Sequence, residues 1–279
     1  MRYLIAAFIV LAGTFVLAQV DEFPITVIAT GLADPFGLAL SPDGTTAYVA
    51  ESSADRISRI DLATGAVQAI AQGMIVNGPF GLAISPAGTR LYAALFSGNQ
   101  LVEIDIASGQ TRVVVDRGFM IPTGVAITPD GTTAYVTDTL GHTLWQVDLA
   151  TGTSRAVASD LLTPDGIALN PEGTRAYLTE INPGNLVIVE LATGEYRRLP
   201  LGLGDAHALT VDPSESQVYI TEALTGHLSR VDLATGQLDR LVSGLGLVAG
   251  VVLRGDRLYI NDHGADRLIA IDLGQGRGY

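Results

Sequence analysis

One stretch of this chain is written six times over, and that repetition limits the fold more than any single motif does. The clearest copy is Asp34–Gly65, DPFGLALSPDGTTAYVAESSADRISRIDLATG. Gly37–Leu40 is an apolar run long enough for a strand and too short for a helix. Ser41-Pro42-Asp43-Gly44 turns the chain, because proline pre-sets φ, aspartate bonds nearby backbone and glycine accepts positive φ. Ala47–Ala50 reads as a second strand, Ile57–Ile60 as a third and Ala66–Ala71 as a fourth, with the turn Asp61–Gly65 between the last two. A four-stranded antiparallel meander of about 42–44 residues has the length of a propeller blade.

The first strand and its turn recur as PFGLAISPAG (79–88), PTGVAITPDG (122–131), PDGIALNPEG (164–173), AHALTVDPSE (206–215) and, degenerately, from Val248 to Asp256. The second strand recurs around Tyr92, Tyr135, Tyr177, Tyr219 and Tyr259. The second turn recurs as DIASG (105–109), DLATG (148–152), ELATG (190–194), DLATG (232–236) and DLGQG (272–276). No linker interrupts the series, so residues 19–279 are expected to form a single all-β, six-bladed β-propeller. The sixth copy lacks a fourth strand, and FPITVIATG (23–31) matches the fourth strand AVQAIAQG (66–73). Placing Ile25–Thr30 against Leu268–Ile271 closes the ring and leaves no blade with an open inner edge.

Met1 and Arg2 precede an uncharged, mostly apolar run from Tyr3 to Ala18, and Val16-Leu17-Ala18 supplies the small residues of a cleavage site. Residues 1–18 are read as a secretory signal, with an uncleaved anchor helix as the rival reading. Either places the domain outside the cytoplasm, secreted or periplasmic, and cleavage leaves no membrane span in the mature chain. The chain has no cysteine, which excludes disulfides, thiolate nucleophiles and cysteine metal sites. It has no lysine, which excludes Schiff-base chemistry. A net charge of −13 argues against nucleic acid, since nothing would replace the phosphate counterions. Nucleophile-elbow, zincin, phosphate-loop and dinucleotide motifs are absent, and no residue is assigned to binding an organic cofactor.

The repeat PxGxAxxPDG, then xxYVxE/D, then IDLATG resembles the six-bladed propellers of the NHL, YVTN and SMP-30/gluconolactonase-regucalcin-like group, and the resemblance covers Phe23–Tyr279. It implies the fold. It also implies a range of activities, from metal-dependent lactonases and lyases to binding and scaffold modules. In lactonase-like members a divalent metal at the channel mouth is held by acidic and amide residues just before first-strand glycines. Those positions are here Phe36, Phe80, Thr123, Asp165, His207 and Ala249, and only Asp165 matches. Lyases of the group use histidines at this level, where this chain has His207.

Glu51, Asp138, Glu180, Glu222 and Asp262 each stand three residues after a repeat tyrosine, with Leu95 in blade two. They read either as a ring of carboxylates under the loop-rich face or as strand-end acids that accept backbone N–H groups. The turn acids Asp61, Asp105, Asp148, Glu190, Asp232 and Asp272 read as structural. Departures from the repeat are more informative. Phe36, Phe80, Leu95 and Phe96 make one side of the mouth apolar, while Asp165, Glu180, His207, Glu222, Asp262 and His263 make the other side polar.

A ligand or protein partner is therefore expected at Phe36, Phe80, Phe96, Thr123, Asp165, His207, Asp262 and His263, unless the phenylalanines simply plug the channel. Asp165 and His207 are placed to pair, or to share a calcium or zinc ion with Glu180 and Glu222. His142 and His227 are expected on the solvated rim, and Trp145 between blades. The leading expectation is an exported, monomeric binding module acting through the mouth of its channel. The alternative is a metal-dependent hydrolase of gluconolactonase type, or a lyase.

Overall fold

The computed structural model describes residues 23–73 and 76–274. The signal reading of residues 1–18, and the end of the last DLGQG turn, lie outside the described residues. The rest is six four-stranded antiparallel sheets and almost no helix. Five sheets use four consecutive strands each, and the sixth joins the N-terminal strand Ile25–Thr30 to the last three strands. Ile25 faces Ile271, Thr26 faces Ala270, Val27 faces Ile269 and Ala29 faces Leu268, so the ring closes as the repeat count requires.

Six apolar clusters hold the ring, and each lies in a seam between neighbouring blades rather than within one. The repeat tyrosines serve these seams: Tyr48, Tyr92, Tyr135, Tyr177, Tyr219 and Tyr259 are all buried. Trp145 packs on the seam of blades two and three, edge-on to Phe119 at 6.0 Å between ring centroids. At the tight-turn face, Asp61 Oδ1 accepts the backbone N–H and hydroxyl of Thr64, both at 2.8 Å. Blades two, three and five repeat this with Asp105, Asp148 and Asp232, the structural role expected of turn acids, whereas Glu190 pairs with Arg175 and Asp272 accepts the Gly274 amide.

The axis is built from six irregular first strands. Each pairs with its second strand at its first residue, then skips two residues before pairing resumes. The skipped residues are the variable position and the glycine that follows it. A Cβ at Gly37, Gly81, Gly124, Gly166 or Gly250 would fall 2.0–2.4 Å from the carbonyl oxygen of the variable residue in the next blade, so these glycines are set by close backbone approach. Blade five is the exception, with Ala208 at this place.

The second strands fasten the same seams. Thr179 Oγ1 accepts the Gly166 N–H at 2.8 Å and donates to the His207 carbonyl at 2.6 Å. Thr137 and Thr221 make equivalent bridges, and Asn261 Nδ2 donates to the Phe36 carbonyl at 3.0 Å. Blades one and two carry Ala50 and Ala94 instead.

Substituting Gly81→Ala is expected to cost about 2–3 kcal/mol, because the methyl meets the Thr123 carbonyl and neither backbone can yield alone. Ala208→Gly should cost at most about 1 kcal/mol. Urea midpoints measure both, and equal effects would contradict the close-approach explanation.

Candidate functional site

The six variable positions converge at the loop-rich end of the channel. Phe36, Phe80, Thr123, Asp165, His207 and Ala249 line one cavity of about 90 Å³ with the residues that follow them. The bulge puts them there, since it turns one unpaired residue per blade toward the axis.

Asp165 and His207 form the polar centre. Asp165 is buried, and His207 Nδ1 lies 2.7 Å from Asp165 Oδ2. Burial pulls the His207 pKa down, but the charge and hydrogen bond of Asp165, with a smaller contribution from Asp205, outweigh it and hold the imidazole above its ordinary value. Asp205 Oδ2 lies 3.8 Å from His207 Nε2. Asp165 Oδ1 is buried and has no hydrogen-bond partner. Thr123 is buried as well, its hydroxyl 2.9 Å from that of Thr139.

Across the mouth stands a stack of aromatic rings. His263 lies 4.8 Å from Phe36, Phe36 4.4 Å from Phe80, and Phe80 5.7 Å from Phe96, with interplanar angles of 25–29°. The His207 ring approaches Phe36 at 6.3 Å and Phe80 at 6.0 Å, and so reaches across the channel. Phe36 and Phe80 line the cavity, and Phe96 is exposed at the outer end of the stack. Leu95 does not join it. It is fully buried in the seam of blades one and two.

The repeated acids have another job. Glu51, Asp138, Glu180, Glu222 and Asp262 are all 0–1 % exposed. Four of them accept the amide three residues ahead of a variable position: Glu51 from Ala33 at 2.8 Å, Asp138 from Met120 at 2.9 Å, Glu180 from Leu162 at 2.7 Å and Glu222 from Gly204 at 2.8 Å. Each pins the loop that delivers its own first strand. Glu180 is further held by Asn185 and Arg198, Glu222 by Ser229, and Asp262 by Arg267. Burial acts to raise the Glu51 pKa, but Arg56, Ser58 and the Ala33 amide together hold it below the usual carboxylate range. In blade two, where Leu95 replaces the acid, Asp55 from blade one accepts the Gly78 amide at 2.7 Å.

Of the expected donors, then, Asp165 and His207 meet, while Glu180 and Glu222 are engaged with loop amides and neighbouring side chains. Among the described residues no group of three or more His, Asp or Glu is placed to hold a metal. A hard cation wants about six to eight oxygen ligands, and the donors present do not fit one. Asp262 is withdrawn from solvent, whereas His263 reaches the mouth through its stack on Phe36. His142 is exposed and its Nδ1 lies 3.0 Å from the Leu161 carbonyl, while His227 is half-buried 4.0 Å from Glu222.

Two residues at the site escape sequence reasoning. Asp34 Oδ1 lies 3.0 Å from His263 Nδ1, and Asp205 faces His207. Both stand immediately ahead of a first strand at positive φ, 55° and 61°. The same place holds Gly78, Ile121, Thr163 and Leu247 in the other blades, so an aspartate in blades one and five alone was the available signal.

The raised pKa of His207 carries a sign. Its contribution to stability is complete below the ordinary value of 6.5 and is lost as pH rises through the folded value. The melting temperature is therefore expected to fall more steeply above pH 6.5 in the native protein than in an Asp165→Asn variant. Parallel curves from thermal melts over pH would contradict the ion pair.

Residues 97–177 match the model of the SMP-30/Gluconolactonase/LRE-like region. That stretch contains Asp165 but neither His207 nor the phenylalanines of the stack. A search of the curated proteins found no match. Among solved structures, a gluconolactonase from Xanthomonas campestris superposes with a TM-score of 0.77 at 16 % identity, covering 91 % of each chain. A chain of a nidogen/laminin complex gives 0.73 at 22 %, over 80 % of this chain and 88 % of the other. A catalytically inactive virginiamycin B lyase from Staphylococcus aureus, solved with quinupristin, gives 0.68 at 14 %, over 90 % of this chain and all of the other. At these identities the solved structures share the fold with this chain. With the family match over blades two to four, they make the chain a six-bladed β-propeller resembling the SMP-30/gluconolactonase-like group, as its repeats imply.

Proposed function

We propose that this chain is an exported binding module that engages a ligand or a protein partner at the loop-rich mouth of its channel. One observation carries the reading: the cavity at the variable positions is about 90 Å³, under an aromatic stack. Small-molecule sites usually enclose ~300–1,000 Å³. The space at this end of the channel suits a water or one small group, so a larger partner that binds at this end rests on the mouth rather than inside it. The engagement of the repeated acids with loop amides points the same way, since it leaves a rigid face and no free carboxylate ring. Export rests on the signal reading of residues 1–18.

The match over residues 97–177 favours a second reading, a metal-dependent hydrolase of lactonase type. Asp165, with one unpartnered oxygen, and His207 would then be its polar core. The donor set argues against it.

Protein recovered from the medium or periplasm of its host, and analysed for metal content and lactone hydrolysis, separates the two. The expected result is a mature chain beginning at Gln19, without stoichiometric divalent metal and without hydrolysis above buffer. Stoichiometric metal and lactone turnover, both lost in Asp165→Ala, would overturn the binding-module reading. An intact Met1 would overturn cleavage.

A further inference from the structure

The loop-rich face carries an apolar crown that the channel does not account for. Ten large apolar side chains are exposed among the described residues. Four of them, Ile25, Val27, Val67 and Val113, lie on outer fourth strands. The other six, Phe96, Met120, Leu140, Leu162, Leu224 and Leu247, all lie in loops of this one face, and Leu224 is 75 % exposed. The tight-turn face has none of the ten. Scattered apolar residues on a surface need no explanation, but six gathered on one face do.

The crown is held in shape. Asp138 accepts the amides of Met120, Ile121 and Gly141 at 2.8–3.1 Å, and so fixes the loops on either side of Leu140. Glu180 accepts the amide of Leu162 at 2.7 Å, and the Leu247 carbonyl accepts the His263 amide at 2.9 Å. Side chains displayed on pinned backbone bind with little ordering cost.

Charge identifies the occupant. The loops of this face hold Asp34, Asp55, Asp116, Asp160, Asp205 and Asp266 against the single cation Arg117. The nearby arginines on strands are engaged with buried acids: Arg56 with Glu51, Arg198 with Glu180 and Arg267 with Asp262. An apolar face whose loops also carry carboxylates attracts apolar groups that bear positive charge, and it repels phosphate-rich surfaces. It repels a second copy of itself for the same reason.

Resting on the binding-module reading, we infer that this face docks a second polypeptide whose contact segment combines apolar side chains with arginine or lysine. The segment lies across the mouth, apolar side chains on the crown and cations toward the aspartates.

Random dodecapeptides displayed on phage, selected on the immobilised mature chain, test this. The expected result is a consensus that mixes apolar and basic residues. A synthetic peptide of that sequence should bind with an affinity that falls as salt rises. The double variant Leu224→Ser with Leu247→Ser, both on exposed loops, should weaken it by about tenfold or more while leaving the melting temperature unchanged. A consensus without basic residues, or one indifferent to the double variant, overturns the inference. So does capture of phosphatidylcholine vesicles, or self-association in sedimentation that the double variant abolishes. These failures remove the polypeptide partner alone, whereas only metal-dependent lactone turnover removes the binding module.

Discussion

Six backbones crowd one axis, and the close approach of each to the next is the constraint on which everything else rests. Where the first strands bulge, a glycine Cα in five blades lies so near the neighbouring carbonyl that no side chain fits between them. The bulge also frees two residues per blade from pairing, and the first of them lines the cavity at the axis. The repeat thus supplies a ring of six variable positions on a backbone that cannot vary. The chemistry of the mouth follows from which residues occupy that ring.

Two kinds of buried polar group keep the ring in register. Threonine and asparagine side chains on second strands bridge one bulge to the next. Buried acids at the ends of the same strands catch the loop amides that lead into first strands. Blades one and two depart from the first habit, with Ala50 and Ala94 in place of threonine, and blade two from the second as well, with Leu95 in place of an acid. They are also the blades that bring Phe36 and Phe80 to the mouth. Opposite them, Asp165 and His207 form a close pair, 2.7 Å apart, whose imidazole reaches toward those rings. The site is therefore asymmetric on a nearly symmetric scaffold, with aromatic closure on one side and a charge pair on the other.

The fold was legible in sequence because the signals that specify a blade are local. SPDG and DLATG set their own turns, and the alternation of short apolar runs with those turns leaves little freedom. Closure was legible too, since one strand was missing at one end and spare at the other. The site was half legible. Departures from the repeat pointed to Phe36, Phe80, Asp165 and His207, and the structure brings these to one cavity. The repeated acids were ambiguous, because a carboxylate ring and a set of loop pins leave the same residues at the same spacing. Only burial and partners separate them, and both depend on loops whose path is not written in the repeat. Asp34 and Asp205 were missed because their one signal, an aspartate ahead of the first strand in blades one and five alone, reads equally well as an ordinary turn residue.

Phe36 and His263 come from opposite ends of the chain, and their stack exists only because the first blade closes on the last. The mouth, its cavity and the crown around it all presuppose that closure, which rests on the pairing of Ile25–Thr30 with Arg267–Asp272. A native chain without cysteine allows a clean measurement. In the double variant Thr26→Cys with Ala270→Cys, two directly facing residues of that pair are replaced. A single intramolecular disulfide is expected on mild oxidation, formed in the monomer and raising its resistance to unfolding. Free thiols, or disulfides found only between chains, would contradict it.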